Sequence, residues 1–125
     1  MIVLEASVLI AHLDRRDAQH DLAIERLLEA AEQEFVASSI TLAEVLVAPT
    51  RAGRLADAQA AFRALGVTEV SLPANAAERL AALGVETELK LPDCCVLLAA
   101  EEVQGAVLTF DDRLAREAAR LSPGS

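Results

Sequence analysis

Short apolar runs alternate along the chain with segments whose apolar residues recur at helical spacing. The apolar runs predict β-strands over residues 1–4, 34–38, 67–72 and 106–110. The intervening segments predict helices over residues 7–13, 39–49, 54–65 and 92–102, with three more that begin at residues 17, 75 and 111. Strands that alternate with helices are typical of an α/β domain with a parallel sheet, which binds ligands at the carboxyl ends of its strands.

Residues with strong end preferences support these boundaries. Ser7 and Ser39 are expected to cap the first and third helices. Asn75 with Glu78 is similar to a capping box, and Gly66 is suited to end the fourth helix. The length of 125 residues predicts one domain over residues 1–125, in which residues 122–125 form a frayed tail.

Composition narrows the classes of function. Aromatic residues make up only 2% of the chain, so platforms that stack single-stranded bases are not expected. A net charge of −9 argues against a wide basic nucleic-acid interface and favours a basic partner, but it leaves room for a nuclease that reaches its substrate through metal ions. The two cysteines, Cys94 and Cys95, are adjacent, which predicts free thiols and a reducing, cytoplasmic location. Neither a signal peptide nor an apolar run of about 18 residues occurs, so no membrane association is expected.

Four of the 20 acidic residues, Glu5, Glu44, Asp93 and Asp111, lie inside or directly beside apolar runs. Ionised carboxylates in such places should be partly buried, which costs several kcal/mol unless they are paired or bind a metal. Glu5 and Asp111 end predicted strands, and Glu44 and Asp93 lie near helix starts, so all four should meet at one rim of the sheet. Such a cluster needs raised pKa values or a cation, and oxygen ligands suit Mg²⁺ or Mn²⁺.

Structural interpretations exist for each of these carboxylates. Glu44 can be an exposed helix residue, and Asp93 and Asp111 can serve only as helix-start residues. Glu5 is the hardest to explain structurally, because glutamate is unfavourable in a buried strand. A protein without a site would require the four carboxylates to lie apart, or each to pair with Arg or Lys; the candidates nearby in sequence are Lys90 and Arg113.

The acidic residues are embedded in four motifs. These are residues 2–11 around Glu5, residues 41–46 around Glu44, residues 91–93 before an apolar helix, and residues 109–111 at a strand end. In their order and spacing across the whole chain, they resemble the motifs of PIN domains, and in particular those of VapC-type toxins from VapBC toxin–antitoxin systems. Each motif alone is weakly specific, whereas the ordered set is quite specific.

This resemblance implies a fold, a site and partners. The fold would be a central parallel sheet of four or five strands with helices on both faces and an acidic groove. The four carboxylates would be catalytic and would bind Mg²⁺ or Mn²⁺ for hydrolysis of RNA. Ser7 and Thr109 would orient them, Asp112 is a further candidate, and the basic residues first expected to touch RNA phosphates are Arg79, Lys90 and Arg113. Homodimers are usual in the family, as is inhibition by a VapB-type antitoxin whose basic segment enters the groove.

The first motif departs from the family pattern, because Glu5 stands where an aspartate is usual. The extra methylene moves the carboxylate outward, and a misplacement of around 1 Å can cost on the order of 100-fold in rate. Glu5 is therefore a tolerated natural variant, an engineered change that tames the enzyme, or the mark of an inactive domain that only binds a partner. A metal-dependent phosphoesterase acting on DNA or on a small phosphorylated compound is a further alternative.

Overall fold

A computed structural model describes residues 1–122. The strands of this part of the chain are β1 (Ile2–Leu4), β2 (Phe35–Ser38), β3 (Val67–Val70) and β4 (Ala106–Leu108). Its helices are α1 (Ala6–Leu13), α2 (His20–Glu29), α3 (Ser39–Arg51), α4 (Leu55–Leu65), α5 (Ala76–Thr87), α6 (Leu91–Val103) and α7 (Asp112–Leu121). The predicted frayed tail lies, apart from Ser122, outside the described residues.

The strands form one four-stranded parallel sheet in the order β3-β2-β1-β4. Ile2 of β1 lies opposite Phe35 on one side and Ala106 on the other. The predicted parallel α/β sheet is thereby confirmed, with four strands within residues 1–122. Since all strands run in the same direction, their carboxyl ends share one rim.

Neighbouring residues of each strand face opposite sides of the sheet, and both sides are covered. Val3 and Val36 pack into a core that includes Leu98 and Leu114 and is built with α5, α6 and α7. Leu4 and its neighbours pack into a second core, built with α1 to α4. A strand buried on both faces reads as an unbroken apolar run, which explains the absence of polar alternation in β1. The prediction of helices on both faces is confirmed.

Two strands, β3 and β4, end earlier than predicted because their partner strands end. β4 stops at Leu108, which pairs with Leu4, the last residue of β1. β3 stops at Val70, which pairs with Ser38, the last residue of β2. Hydrogen bonding to a neighbour, rather than local apolar content, therefore determines where these strands end.

Two of the predicted caps are wrong. Helix α1 begins at Ala6, since Glu5 still has an extended backbone, so Ser7 lies inside the first turn. Helix α3 is capped by Ser38, which accepts a hydrogen bond from the Ile40 amide, whereas the neighbouring Ser39 hydroxyl lies 2.5 Å from Glu69 Oε2. The other predictions of helix ends are confirmed in part. Gly66 ends α4 with a φ of 79°, as predicted, but Asn75 precedes α5 without a capping hydrogen bond from its side chain, and α2 begins at His20 rather than at Asp17.

Helix α6 is the central helix of the first core. Six successive residues, Cys94 to Ala99, are buried, because α6 packs against α5, α3 and the sheet at once. Both cysteines are buried as free thiols. Within residues 1–122, none of the helices combines the length and apolar character needed to cross a membrane.

Candidate active site

The four acidic residues come from four separate segments at the carboxyl rim of the sheet. Glu5 follows β1, and Asp111 lies three residues beyond β4 as the N-cap of α7. Glu44 is in the second turn of α3, which begins directly after β2, and Asp93 is in the first turn of α6. The expectation of partial burial holds for Glu5 and Asp93 but is wrong for Glu44 and Asp111, which are exposed. Their apolar sequence neighbours point inward, while these two carboxylates point outward.

Glu5 is held by two hydroxyl groups. The Ser7 hydroxyl donates a short hydrogen bond to Glu5 Oε1, and the Thr109 hydroxyl donates to the same oxygen over 2.7 Å. Each hydroxyl also accepts a backbone bond, Ser7 from the Phe110 amide at 3.1 Å and Thr109 from the Asp111 amide at 3.0 Å. These four bonds connect the start of α1 to the turn between β4 and α7, and thereby link the positions of Glu5 and Asp111.

Asp111 has a structural role as well as a place in the acidic group. Its Oδ1 accepts a hydrogen bond of 3.0 Å from the Leu114 amide and so caps α7. The capping interpretation of this residue is therefore correct. It does not remove Asp111 from the acidic group, because the charge of Asp111 also acts on Asp93.

The pKa of the Asp93 carboxyl is raised, first by burial and then by the negative charges of Asp111 and Glu5. The basic side chains of Lys90 and Arg113 oppose this rise without cancelling it. The pKa of Glu44 is also raised, first by lost hydration and then by Glu5 and Asp93, even though the residue as a whole is exposed. Through these charge interactions, each of the four carboxylates acts on at least one other or is acted on by one.

The raised pKa values predict a pH dependence of stability in the absence of metal. Asp93 and Glu44 bind their protons more tightly in the folded than in the unfolded chain, so their contribution to stability is greatest below their ordinary pKa and falls as the pH rises through the raised values. Asp93→Asn should therefore gain stability relative to the unmodified protein as the pH rises through this range. Thermal unfolding across pH in EDTA measures this difference.

The control for this experiment is Asp57→Asn, since Asp57 is also in the first turn of a helix, α4. This variant should keep the pH dependence of the unmodified protein. If Asp93→Asn instead lost stability relative to the unmodified protein with rising pH, the inferred repulsion among the carboxylates would be wrong.

The donor chemistry of the rim suits a hard divalent cation, since carboxylate oxygens are its preferred protein ligands. Within residues 1–122, however, no three His, Cys, Asp or Glu side chains lie close enough together to hold a metal ion directly. The residues therefore fit a cation by chemistry and by charge, and their side chains are not arranged as a preformed coordination shell.

The other residues predicted for the site divide into two groups. Lys90, at the N-cap position of α6, and Arg113, in the first turn of α7, lie near Asp93. Asp112 is exposed in the first turn of α7 and is not among the charges that shift the pKa of Asp93. Arg79 lies elsewhere. It pairs with Glu101, at 2.9 Å, and with Glu102 near the far end of α6.

Arg79 is among the basic residues that the family resemblance implied would touch RNA phosphates, but it lies away from the four carboxylates. Its partner Glu102 is nine residues after Asp93, roughly 13 Å along the helix. Two carboxylates engage the guanidinium, so we do not include it in the candidate site.

Thr41 is a buried polar residue near the site that was not predicted from the sequence. Its side chain is 1% exposed, and its hydroxyl has no hydrogen-bond partner within the described residues. Thr41 lies three residues before Glu44, so the two occupy neighbouring positions on α3. A hydroxyl inside the apolar run of α3 was the signal available in the sequence, because buried polar groups are nearly always hydrogen-bonded.

The comparisons with known proteins identify the class. The PIN domain family model matches residues 2–120, and the chain belongs to this family. PIN domains are generally nucleases that use divalent metal ions. The family resemblance inferred from the motifs is thereby confirmed. Comparison with curated proteins found no significant sequence match.

Solved structures of toxins and of toxin–antitoxin complexes have the same fold. VapC20 of Mycobacterium tuberculosis, described as a toxin that cleaves the sarcin–ricin loop, is 19% identical with a TM-score of 0.76, and the match covers 94% of this chain and 95% of that one. A toxin–antitoxin complex from Klebsiella pneumoniae is 25% identical with a TM-score of 0.72, covering 89% and 87%. VapBC2 of Rickettsia felis, bound to a DNA fragment of its promoter, is 17% identical with a TM-score of 0.71, covering 93% and 92%.

Proposed function

We propose that this protein is a metal-dependent endoribonuclease and the toxin of a toxin–antitoxin pair. The observation that carries the proposal is the convergence of Glu5, Glu44, Asp93 and Asp111, from four separate segments, on one rim where their charges act on one another. Membership of the PIN family supports a nuclease. The similarity to VapC20, itself described as a toxin that cleaves the sarcin–ricin loop, supports RNA as the substrate.

In this proposal the four carboxylates hold one or two Mg²⁺ or Mn²⁺ ions. When bound, such an ion supplies Lewis-acid stabilisation of the phosphate and lowers the pKa of water at the site. The reaction adds water across the P–O3′ bond, which leaves a 5′ phosphate and a 3′ hydroxyl. The four side chains would have to draw together on binding, or to bind in part through water, because they do not form a direct three-ligand group here.

The chain's own contribution is to orient these carboxylates. Ser7 and Thr109 both donate to Glu5 Oε1, so Oε2 has no hydrogen bond within the described residues and is the oxygen we assign to the cation. The backbone bonds of the same hydroxyls keep Asp111 in register with Glu5. Such outer-shell bonds typically contribute 10–100-fold to metal affinity or activity. Asp112 is assigned a minor, supporting part.

We also propose the partners that the family resemblance implies. A VapB-type antitoxin with a basic segment would complement the net charge of −9, and two of the similar structures are toxin–antitoxin assemblies. We propose a homodimer, with residues 1–125 as one domain of each protomer. A cytoplasmic location is supported by the two buried free thiols, Cys94 and Cys95, which suit a reducing compartment.

A second candidate function is partner binding by a PIN domain with a weakened site. Two observations favour it. Glu5 is one methylene longer than the aspartate usual in the family motif, and residues 1–122 contain no preformed metal-coordinating group. Both candidates predict binding to an antitoxin, so only a measurement of catalysis separates them.

Cleavage of a panel of structured RNAs, and of DNAs of the same sequence, tests the proposal with the purified protein and with Glu5→Asp. We expect RNA cleavage that requires Mg²⁺ or Mn²⁺ and stops in EDTA, with Glu5→Asp at least as active. Cleavage by Glu5→Asp alone would mean that the site is correct and that Glu5 disables it. No cleavage by either protein would favour the partner-binding module, and cleavage of DNA alone would assign a different phosphodiesterase.

A further inference from the structure

The turn between α5 and α6, residues 88–90, brings together two cations from different elements. Lys90 is exposed at the N-cap position of α6 and forms no ion pair within residues 1–122. Arg113 reaches the same turn from α7, where its Nη2 donates to the backbone carbonyl of Glu88 at 3.4 Å. The two cationic groups therefore meet at one turn although 23 positions separate them in sequence.

Because of these two cations, the two sides of the acidic rim differ in charge. Lys90 lies three residues before Asp93 at the start of α6, and Arg113 lies two residues after Asp111 in the first turn of α7. Glu44 lies on a different helix, α3. The positive charge of the pair is therefore on the side of the rim formed by α6 and α7. Four arginines elsewhere in the structure are engaged by carboxylates, namely Arg26, Arg54, Arg79 and Arg120.

Arg113 is held in place without being neutralised. Its hydrogen-bond partner is a neutral carbonyl, at the left-handed residue that ends α5, so the guanidinium keeps its charge and its remaining N–H donors. The turn contains no aromatic side chain on which a base could stack. A cationic turn of this kind suits the sugar–phosphate backbone rather than the bases.

We propose that the α5–α6 turn binds the phosphates of the RNA strand that flank the scissile phosphate. This proposal rests on the proposed function. Lys90 and Arg113 would each contact one non-scissile phosphate, so that the substrate runs across the Asp93 side of the rim and away from the Glu44 side. The pair would thereby offset, close to the carboxylates, the repulsion between RNA and a protein of charge −9.

Salt-dependent binding of a short fluorescein-labelled oligouridine, with Ca²⁺ in place of Mg²⁺, tests this placement. Each neutralised phosphate contributes about 0.7 to the magnitude of the slope of log affinity against log salt for a single strand. Lys90→Gln and Arg113→Gln should each reduce the slope by about 0.7, and the double variant by about 1.4. Arg113→Gln retains an N–H donor for the Glu88 carbonyl. Arg113→Lys keeps the positive charge and should therefore keep the slope of the unmodified protein.

The matched control is Arg63→Gln. Arg63 is an exposed residue in the last turn of α4, which leads into β3 and therefore lies at the opposite rim of the sheet. The salt slope measured for Arg63→Gln should equal that of the unmodified protein.

Equal slopes for the unmodified protein and for the Lys90 and Arg113 variants would overturn the placement. Cleavage by the unmodified protein would still leave the nuclease proposal intact. A protein that neither binds nor cuts RNA would overturn both. The Lys90 side chain forms no hydrogen bond or ion pair within residues 1–122, so Lys90→Gln should fold normally and alone suffices for the test.

Discussion

Asp93→Asn should reduce metal-dependent RNA cleavage by at least about 100-fold, because loss of a direct ligand should cost no less than loss of an outer-shell partner. The substitution keeps the size of the side chain at the start of α6 and removes the charge that the neighbouring acidic residues act upon. We expect Mn²⁺ to raise the unfolding temperature of the unmodified protein and not that of Asp93→Asn, since a ligand stabilises only the state that binds it. Cleavage rates and thermal unfolding with and without Mn²⁺ measure both effects.

Asp57→Asn again provides the control, because it removes a carboxylate from the first turn of α4. It should cut RNA normally and should keep the stabilisation by Mn²⁺. Undiminished cleavage by Asp93→Asn would contradict the assignment of Asp93 as a ligand. Lost cleavage with a retained response to Mn²⁺ would show that Asp93 acts in the reaction without holding the ion.

Leu98→Ala should strongly destabilise the protein. Leu98 is 1% exposed in the middle of α6, within the core that also holds Val3 and Val36 of the sheet. Leucine-to-alanine changes in such cores cost about 2–5 kcal/mol, against a total stability of about 5–15 kcal/mol for a typical domain. Urea unfolding monitored by circular dichroism, in EDTA, measures the change in the free energy of unfolding.

Leu91→Ala makes the same chemical change in the first turn of the same helix, where the side chain is 62% exposed. It should alter the free energy of unfolding by less than about 0.5 kcal/mol. If the two variants were equally destabilised, the packing of α6 between α5 and the sheet would not be the source of stability that the structure indicates.

Much of the architecture followed from local pattern. β1 was predictable because a strand covered on both faces has only apolar residues, as in Val3 and Leu4, which enter opposite cores. The rim location of Glu5 and Asp111 followed from strand direction alone, since parallel strands end at one edge. The PIN family was predictable from the order of the four acidic motifs, which no single motif would have identified.

The details of the site depend on contacts between distant residues, which local pattern does not encode. Thr109 and Glu5 are 104 positions apart, and only the pairing of β1 with β4 brings the hydroxyl to the carboxylate. The same holds for Arg79, which is as basic as Lys90 but is placed by the packing of α5 against the far end of α6. Exposure of Glu44 likewise depends on how α3 is rotated against its neighbours.

The sequence by itself therefore determined the fold class, the family and the identity of the four carboxylates, because these depend on periodicity and on order along the chain. Tertiary structure alone decided that Ser7 and Thr109 share one oxygen of Glu5, and that Arg113 meets Lys90 at the α5–α6 turn. The physical reason is that a hydrogen bond or charge interaction acts over a few ångströms in space. Two residues come within that reach only after helices and sheet have packed together.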